Sequence, residues 1–449
     1  MEKGKKYEVT CIGLNEIGQG EFKLGKNIYS VNNLLPKEKA LVEENDYQGI
    51  KKFRMIRILK DATNRNPVLC KAYGKCGNCN LLHMKYEEQI KFKLDYVNNS
   101  FKENKLKIKV DEIYKANKLT EYRNKMQVAF RYYNKELIYG FYEDETHRIV
   151  QIDNCLAHTK EQNEIAKAVY RVMKELHITP YDEDKRTGVI RFLIVRHAYR
   201  TGETLVTIVT NGKTFPARSE FIKRLRNMCP YITTIVQNIN TRKTSIILGD
   251  EEEVLYGKGF ITDDLMGVKF HISSSTFYQV NSYQVEVLYN TVKEYLNLNG
   301  SEEVIDAYCG VGTIGMTLAK YAKFVTGIEQ NKKSVFNARD NSYNNKIKNI
   351  KFVIDDATNY LVNYAKEGGK CDVLIMDPPR SGSTEEFLKA VCSLKPKKVI
   401  YVSCEAKTLA RDLKLLMNDY NKEKVGIVDM FINSYHIETV VLLTLKTPK

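Results

Sequence analysis

The sequence predicts an α/β protein with a C-terminal doubly wound, Rossmann-like domain, an N-terminal OB-like β-barrel and a central α+β domain. Three observations lead to this prediction. From residue 269 to residue 449, short apolar runs alternate with helical patterns, as in parallel strands covered by helices. Residues 1–60 hold five short strand-like runs separated by turn residues, which is typical of a small closed barrel. In residues 61–268, strands and helices follow one another less regularly.

Length, charge and aromatic content narrow the class of protein. A chain of 449 residues predicts about two to four domains. The formal net charge of +15 favours a polyanionic partner, nucleic acid before membrane surface. The 29 tyrosines and 17 phenylalanines offer rings on which bases can stack. No apolar run reaches the roughly 18 residues of a membrane span, and the N-terminus lacks a secretory signal. We therefore expect a cytoplasmic monomer that does not contact a membrane.

A tight group of cysteines predicts metal or cluster ligation. Cys70, Cys76 and Cys79 follow one another with five and then two intervening residues. In a cytoplasmic chain such a group favours ligation over disulfides. Three thiolates from one loop and a fourth from elsewhere are more typical of a [4Fe-4S] cluster than of zinc, and Cys155 is the candidate fourth ligand. Radical enzymes usually space the first two cysteines by three residues, so radical chemistry is disfavoured.

The central region combines a helical pattern over residues 84–105 with several basic side chains. Each of these cations alone is typical of an ordinary protein surface. Together they could follow an RNA backbone, because phosphates attract lysine and arginine. The candidates are Arg123, Lys125, Arg131, Arg191, Arg196 and Arg200.

A glycine turn in the C-terminal domain predicts a nucleoside-binding site. Asp306 ends a strand, and Gly310, Gly312 and Gly315 precede a helix, so the backbone can approach a ligand closely. The glycine spacing also fits a dinucleotide site. The aspartate just before the turn argues against NAD.

Two further strand ends carry carboxylates. Glu329 ends the next strand, 17 residues after Gly312, and there it can accept both hydroxyls of a ribose. Asp356 ends the following strand and could address an adenine edge. The order of these three turns predicts S-adenosylmethionine as the ligand.

Two later strand ends carry reactive groups. Asp377 precedes two prolines, which force an extended turn at the end of an apolar strand. Cys404 ends the strand that begins near Val399, where ligands bind in open α/β sheets. A cysteine in such a place is more often a small buried hydrophobe than a nucleophile, so Cys404 depends on its neighbours for its interpretation.

These motifs together resemble the RNA uracil-5-methyltransferase family, close to the 23S rRNA enzymes with a TRAM domain and an iron–sulfur cluster. The resemblance covers nearly the whole chain: the N-terminal barrel over residues 1–60, the cysteine loop, FYQVN at 277–281, DAYCGVGTIG at 306–315, DPPRSG at 377–382, YVSCEAKTLARDL at 401–413 and YHIETVVLL at 435–443. It implies S-adenosylmethionine and a [4Fe-4S] cluster as cofactors and RNA as the partner.

The resemblance also implies roles for individual residues. Cys404 would be the nucleophile and Glu438 the base. Methyl-donor or active-site contacts would come from Gln279, Tyr308, Thr313, Glu329, Asp356 and Asp377. Thr313 stands where some relatives have asparagine, and Glu405–Thr408 reads EAKT where many have NPAT.

The implied reaction explains why these residue types are needed. Carbon 5 of uracil is a poor nucleophile, and a thiolate added at carbon 6 makes it reactive. A base must then remove the proton from carbon 5 before the thiolate can leave. The target uridine would be flipped out and stacked on aromatic rings, for which Phe277 and Tyr278 are candidates.

Three alternatives remain at this stage. The same reaction could act on the T-loop uridine of tRNA. The chain could be a non-catalytic iron–sulfur RNA-binding protein, although such a protein would be expected to lack Cys404 or Glu438. It could also be an NAD oxidoreductase, which would bind NAD rather than S-adenosylhomocysteine.

Overall fold

The N-terminal region forms two small antiparallel sheets. A computed structural model describes residues 4–47, 50–143, 146 and 148–447. The five predicted strands are present, together with a two-residue strand that the sequence pattern did not show. The strands are β1 (Lys6–Thr10), β2 (Gly13–Leu14), β3 (Gly20–Leu24), β4 (Asn27–Val31), β5 (Lys39–Tyr47) and β6 (Ile50–Lys60). They pair in the orders β1-β5-β6 and β2-β3-β4, and Val9, Phe22 and Val42 fill the core between them.

The central region contains a seven-stranded sheet covered by two helices. Its order is β10-β9-β8-β11-β12-β13-β14. The strands are β8 (Lys125–Tyr133), β9 (Glu136–Tyr142), β10 (Ile149–Gln151), β11 (Ile190–His197), β12 (Thr204–Thr210), β13 (Thr234–Ile239) and β14 (Glu251–Tyr256); the helices are α2 (Lys160–Glu175) and α3 (Arg218–Met228). Apolar residues of α2 such as Ile165 and Val169 pack on this sheet. A hairpin of β15 (Ile261–Leu265) and β16 (Val268–Ile272) follows and spans the boundary predicted at residue 268.

The C-terminal region is an eight-stranded sheet of order β19-β18-β17-β20-β21-β23-β22-β7. Its strands are β7 (Glu112–Tyr114), β17 (Glu303–Ala307), β18 (Phe324–Glu329), β19 (Ile350–Ile354), β20 (Val373–Met376), β21 (Lys398–Ser403), β22 (Tyr420–Val428) and β23 (Glu438–Leu445). β17 to β21 run parallel, and β23 is antiparallel to both of its neighbours.

Helices cover both faces of this sheet, as the doubly wound pattern predicts. They are α4 (Ser282–Leu296), α5 (Thr313–Leu318), a short 3-10 turn (Ala319–Tyr321), α6 (Lys332–Asn344), α7 (Ala357–Lys366), α8 (Glu385–Leu394) and α9 (Ala406–Leu416). Two cores result. One contains Val285 and Leu288 of α4, and the other contains Leu409 and Leu413 of α9.

An early segment of the chain also belongs to this C-terminal body. Helix α1 (Tyr86–Glu103) confirms the helix predicted over residues 84–105. Val97 and Phe101 of α1 lie in the same apolar core as α9, and β7 pairs with β22 in parallel. Residues predicted to be part of the central domain therefore complete the C-terminal sheet. None of the helices in the described part of the chain is long and apolar enough to span a membrane.

Candidate active site

Neighbouring strands bring the predicted reactive groups to one edge of the C-terminal sheet. Met376 pairs with Tyr401, so Asp377 leaves β20 beside the end of β21. Ser403 of β21 pairs with Thr439 of β23. The next residues outward are Cys404 and Glu438, which consequently stand opposite each other. This placement follows from the rule that ligands bind beyond the carboxyl ends of the strands.

The three groups at this edge oppose one another's ionisation. Burial, with smaller contributions from the nearby Glu438 and Asp377, raises the pKa of the Cys404 thiol to about 11. Burial also raises the pKa of Glu438, with an added contribution from Asp377. The Asp377 carboxyl is buried and its pKa is raised for the same reason. All three groups hold their protons more tightly because water is excluded, and acidic neighbours add to this effect for Cys404 and Glu438.

Arg380 supplies the positive charge in this acidic group. Its guanidinium lowers the pKa of both Cys404 and Glu438, and it hydrogen-bonds to Cys404. Nη2 lies 3.1 Å from Nε2 of His436. Burial and nearby cations, Arg380 among them, lower the pKa of His436 to about 4, so this imidazole is neutral near pH 7 and can accept the guanidinium N–H. Neither residue was assigned a role from the sequence, although Arg380 directly follows the Asp-Pro-Pro run.

The glycine turn has the open shape that a nucleoside ligand requires. Gly310 has φ +55°, and among the described residues, its own chain neighbours aside, no atom lies within 4 Å of the position that a Cβ would occupy there. Gly312 has φ +77°, and a Cβ would lie 2.6 Å from the Phe352 ring. Oε2 of Glu329 accepts the Gly310 N–H at 3.1 Å. Its carboxylate is thus fixed beside the open turn and retains lone pairs for ligand hydroxyls.

Asp306 supports the turn from below. Its Oδ2 accepts the N–H of Gly315 at 2.8 Å, and its buried Oδ1 has no hydrogen-bond partner among the residues that the structure describes. Burial raises the pKa of Asp306 to about 7, and the N–H of Gly315 partly offsets that rise. An orphaned buried acceptor beside an open turn fits a site built to take a polar or cationic ligand.

The other residues predicted to contact the methyl donor form hydrogen bonds within the protein. Thr313 Oγ1 and Tyr289 Oη are 2.7 Å apart, and Tyr308 Oη is 3.3 Å from Ser383 Oγ. Asp356 caps α7 by accepting the Asn359 N–H. The backbone carbonyl of Gln279 accepts from Asn124 Nδ2 at 2.8 Å.

The two candidate stacking rings differ in exposure. Phe277 is 68% exposed, whereas Tyr278 is 4% exposed and packs in the core with Phe270. Successive residues of an extended segment point to opposite sides. Tyr278 is therefore a core residue, and only Phe277 remains available to a base.

The four cysteines of the predicted cluster site share one neighbourhood. Cys70, Cys76, Cys79 and Cys155 are free thiols. Negative charge on Cys70 or Cys76 would raise the pKa of both Cys79 and Cys155. Burial raises the pKa of Cys79 to about 12 and that of Cys155 to about 11. Within the described residues, no three histidine, cysteine or carboxylate side chains surround a point suited to a metal ion. The [4Fe-4S] cluster therefore stays a prediction from the sequence.

The six predicted basic side chains divide into three groups of two. Arg131 and Arg200 pair with Asp184 and Glu286. Arg191 and Arg196 are buried and donate to backbone carbonyls.

Arg123 and Lys125 instead line a groove of about 630 Å³ together with Phe141 and Val280. Burial and the nearby Arg196 lower the pKa of Lys125 to about 8. A cationic groove with an aromatic wall therefore lies beside the segment that carries Gln279.

This arrangement of strand-end acids, thiol and nucleoside turn on a Rossmann-like sheet defines the class of protein as a methyltransferase. The chain belongs to the tRNA (uracil-5-)-methyltransferase family, whose model matches residues 85–446. It is 37% identical over 443 residues to an RNA methyltransferase of Caldanaerobacter subterraneus, covering 98% of each chain. It is 36% identical to one of Bacillus anthracis, covering 99% of this chain and 98% of that one.

A solved structure resembles the whole chain. It is the tRNA (uracil-54, C5)-methyltransferase of Pyrococcus abyssi in complex with S-adenosyl-L-homocysteine. The TM-score is 0.80 at 26% identity, covering 97% of this chain and 99% of that one. The chain is an S-adenosylmethionine-dependent RNA methyltransferase, as the sequence predicted.

Proposed function

We propose that the chain methylates carbon 5 of a uridine in RNA through a covalent bond to Cys404. The observation that supports this most is the pairing of Ser403 with Thr439, which sets Cys404 opposite Glu438. A nucleophile and a base on facing strands can reach the adjacent carbons 6 and 5 of one pyrimidine ring. Phe277, whose ring is exposed, would stack on the flipped base.

The chain's own residues would act in three steps. The Cys404 thiolate adds to carbon 6, and the electron pair of the 5,6 double bond moves toward the carbonyl at position 4. S-adenosylmethionine supplies an electrophilic methyl group for carbon 5. Glu438 then takes the proton from carbon 5, the double bond re-forms, and the thiolate leaves. Arg380 would favour the anionic forms of Cys404 and Glu438, since it offsets part of the rise in the pKa of both.

The methyl donor would bind at the glycine turn. Glu329 would accept the ribose hydroxyls, and Asp356 would face the adenine. Tyr308 and Thr313 would border the donor, while Gln279 and Asp377 would orient donor and uracil against each other. The open space beside Gly310 and the fixed carboxylate of Glu329 support this assignment.

Two RNA targets are candidates. The resemblance to cluster-containing enzymes favours 23S rRNA. The Pyrococcus enzyme, a tRNA (uracil-54, C5)-methyltransferase, covers 97% of this chain, and this favours the T-loop uridine. Because that likeness includes the N-terminal sheets and the cysteine loop, neither region discriminates between the two RNAs.

The regions outside the catalytic sheet would support RNA binding. We assign residues 1–60 to a TRAM-like OB barrel, 61–268 to a central domain and 269–449 to the methyltransferase domain, with α1 and β7 packed on the last. Cys70, Cys76, Cys79 and Cys155 would hold a [4Fe-4S] cluster with a structural role. The chain would act in the cytoplasm as a monomer.

Methylation of transcripts with labelled S-adenosylmethionine tests the proposal. Wild-type protein should label a uridine in 23S rRNA or in tRNA, and mapping the labelled nucleotide identifies the target. Cys404→Ala should abolish the label, whereas Cys392→Ala, which alters a cysteine on α8, should retain it. Undiminished label with Cys404→Ala would refute the covalent mechanism.

A further inference from the structure

One face of helix α1 presents a polar stripe to the catalytic edge. The stripe consists of Tyr86, Gln89, Lys93 and Tyr96, spaced by three, four and three residues. Such spacing puts the four side chains on one side of a helix. An inward-facing stripe of a packed helix is normally apolar, yet every member of this stripe carries a polar group.

Tyr96 reaches the residue that follows the nucleophile. Its hydroxyl donates to Oε1 of Glu405, which directly follows Cys404. Oε1 of Glu405 also accepts the N–H of Lys407 and so caps helix α9. A shift of Glu405 would move the turn that carries the thiol.

Lys93 reaches the segment that leads to the base. Its Nζ donates to Oδ1 of Asp429 at 2.6 Å and to the carbonyl of Phe431 at 3.0 Å. Both partners of the ion pair are fully buried. Asp429 is the first residue after β22, and Glu438 begins β23. Lys93 also lies near enough to His436 to lower the pKa of that imidazole.

Tyr86 and Gln89 fix the same segment at two more points. The Tyr86 hydroxyl donates to Oδ2 of Asp429 at 2.9 Å. The Gln89 amide is paired with Asn433: Nε2 donates to Oδ1 at 3.0 Å, and Oε1 accepts the backbone N–H at 3.1 Å. Asn433 has φ +62°, a backbone conformation that needs support from its surroundings. The four side chains thus bind both segments that carry the reactive groups.

We propose that this stripe positions the nucleophile and the base relative to each other, with Tyr96 acting on Cys404 and Lys93 acting on Glu438. The proposal rests on the proposed function for the roles of those two groups. A buried ion pair contributes little net stability compared with apolar packing. Its placement between α1 and residues 429–431 is consistent with a role in fixing geometry. Misplacement by about 1 Å can reduce a rate about a hundredfold.

Three variants and a control test the positioning role. Tyr96→Phe removes only the hydroxyl, and Lys93→Met with Asp429→Leu removes both members of the ion pair. Gln89→Leu removes the contacts with Asn433. It replaces the double variant as the test of this segment if the double variant does not fold. Ser100→Ala is the control, because Ser100 is buried on the same helix and its hydroxyl donates to the carbonyl of Tyr96 within that helix.

Two readouts need no RNA and remain valid if the proposed function is wrong. Tyr96→Phe should change the rate of Cys404 alkylation by iodoacetamide about threefold or more. The double variant and Gln89→Leu should speed hydrogen exchange over residues 429–438. Ser100→Ala should change neither.

During catalysis with RNA, the variants should slow different steps of the reaction. Tyr96→Phe should lower kcat about tenfold or more without accumulating adduct. The double variant should accumulate the protein–RNA adduct, because proton removal follows addition. KM for S-adenosylmethionine should stay at the wild-type value in both. Variants that behave like Ser100→Ala in alkylation, exchange and adduct level would overturn the proposal.

Discussion

The donor side and the nucleophile side of the active site differ in the origin of their supporting contacts. On the donor side, Gly310 and Gly315 bond to carboxylates that are 19 and 9 residues away. On the nucleophile side, α1 bonds to residues 309 to 344 positions away. The proposed donor site is thus built from β17, the glycine turn, α5 and the adjacent strand β18. The nucleophile side depends on contacts with α1, which is distant in the sequence.

This difference separates two kinds of sensitivity. Changes in the glycine turn should affect donor binding and leave the thiol unchanged. Changes around Cys404 should affect the chemical steps and leave donor binding unchanged. Four substitutions test this separation.

Glu438→Gln should have the largest effect, confined to the nucleophile side. Loss of the base should lower the turnover rate about 10²–10⁴-fold, because carbon 5 keeps its proton. Affinity for S-adenosylhomocysteine, measured by calorimetry, should stay unchanged. The exposed Glu386→Gln on α8 is the matched control. Normal turnover with Glu438→Gln would remove Glu438 from the mechanism.

Gly312→Ala should damage the donor side. The added Cβ would lie 2.6 Å from the Phe352 ring, and φ there is +77°. The backbone conformation alone costs about 1–3 kcal/mol for a residue with a side chain. Affinity for S-adenosylhomocysteine should fall about tenfold or more, while Cys404 alkylation stays unchanged.

Gly368→Ala is a control that distinguishes backbone strain at positive φ from the steric clash with Phe352 expected in Gly312→Ala. Gly368 has φ +76°, but nothing lies within 4 Å of its Cβ position. This variant should share the strain and retain the donor affinity. Equal loss of affinity in both variants would show that the turn is not specific to the donor site.

Arg380→Met should shift the pH dependence of the nucleophile side. Cys404 and Glu438 must both be deprotonated to react, and their raised pKa values make the rate increase as pH rises through neutrality. Without the guanidinium both pKa values rise further. The rate at pH 7.5 should then fall about tenfold when either pKa rises by about one pH unit. Arg380→Lys should restore part of the rate. A pH profile identical to that of wild type would exclude this role.

Apart from the loss of activity expected of a residue that orients donor and uracil, Asp377→Asn should have a small effect on stability. Burial raises the pKa of Asp377 above its value in the unfolded chain, so the folded state holds the proton to higher pH. The stability from this group therefore falls as pH rises from about 4 through the raised pKa. The variant should unfold about 2 °C or more above wild type at pH 8, with a smaller difference at pH 4.5. A lower unfolding temperature at pH 8 would contradict this assignment of burial.

The sequence predicted the parts of this molecule that lie in contiguous motifs. The glycine turn, Glu329, Asp377 and Cys404 each end a strand, and parallel strands bring such ends to one edge. Helix α1 was predicted from its own periodicity. The partners of that helix were not, because the contacts of Lys93 and Tyr96 depend on pairings across more than 300 residues.

Three further features of the structure could not be predicted from the sequence, because each depends on a contact that the local sequence does not show. β7 is three residues long and joins the C-terminal sheet only through β22, so no pattern within it showed its partner. Tyr278 and Phe277 are adjacent aromatic residues, and the sequence does not show which of the two faces the core. His436 acquired significance only through its contact with Arg380.

A trapped adduct provides the most direct test of the covalent mechanism. In RNA carrying 5-fluorouridine at the target, carbon 5 bears fluorine after methylation, and Glu438 has no proton to remove. The thiolate then cannot leave. Mass spectrometry of the digested complex should show the methylated nucleotide attached to the peptide that contains Cys404. If protein that methylates unmodified RNA formed no adduct with the 5-fluorouridine RNA, the covalent mechanism would be contradicted. An adduct that Cys404→Ala forms to the same extent would contradict it as well.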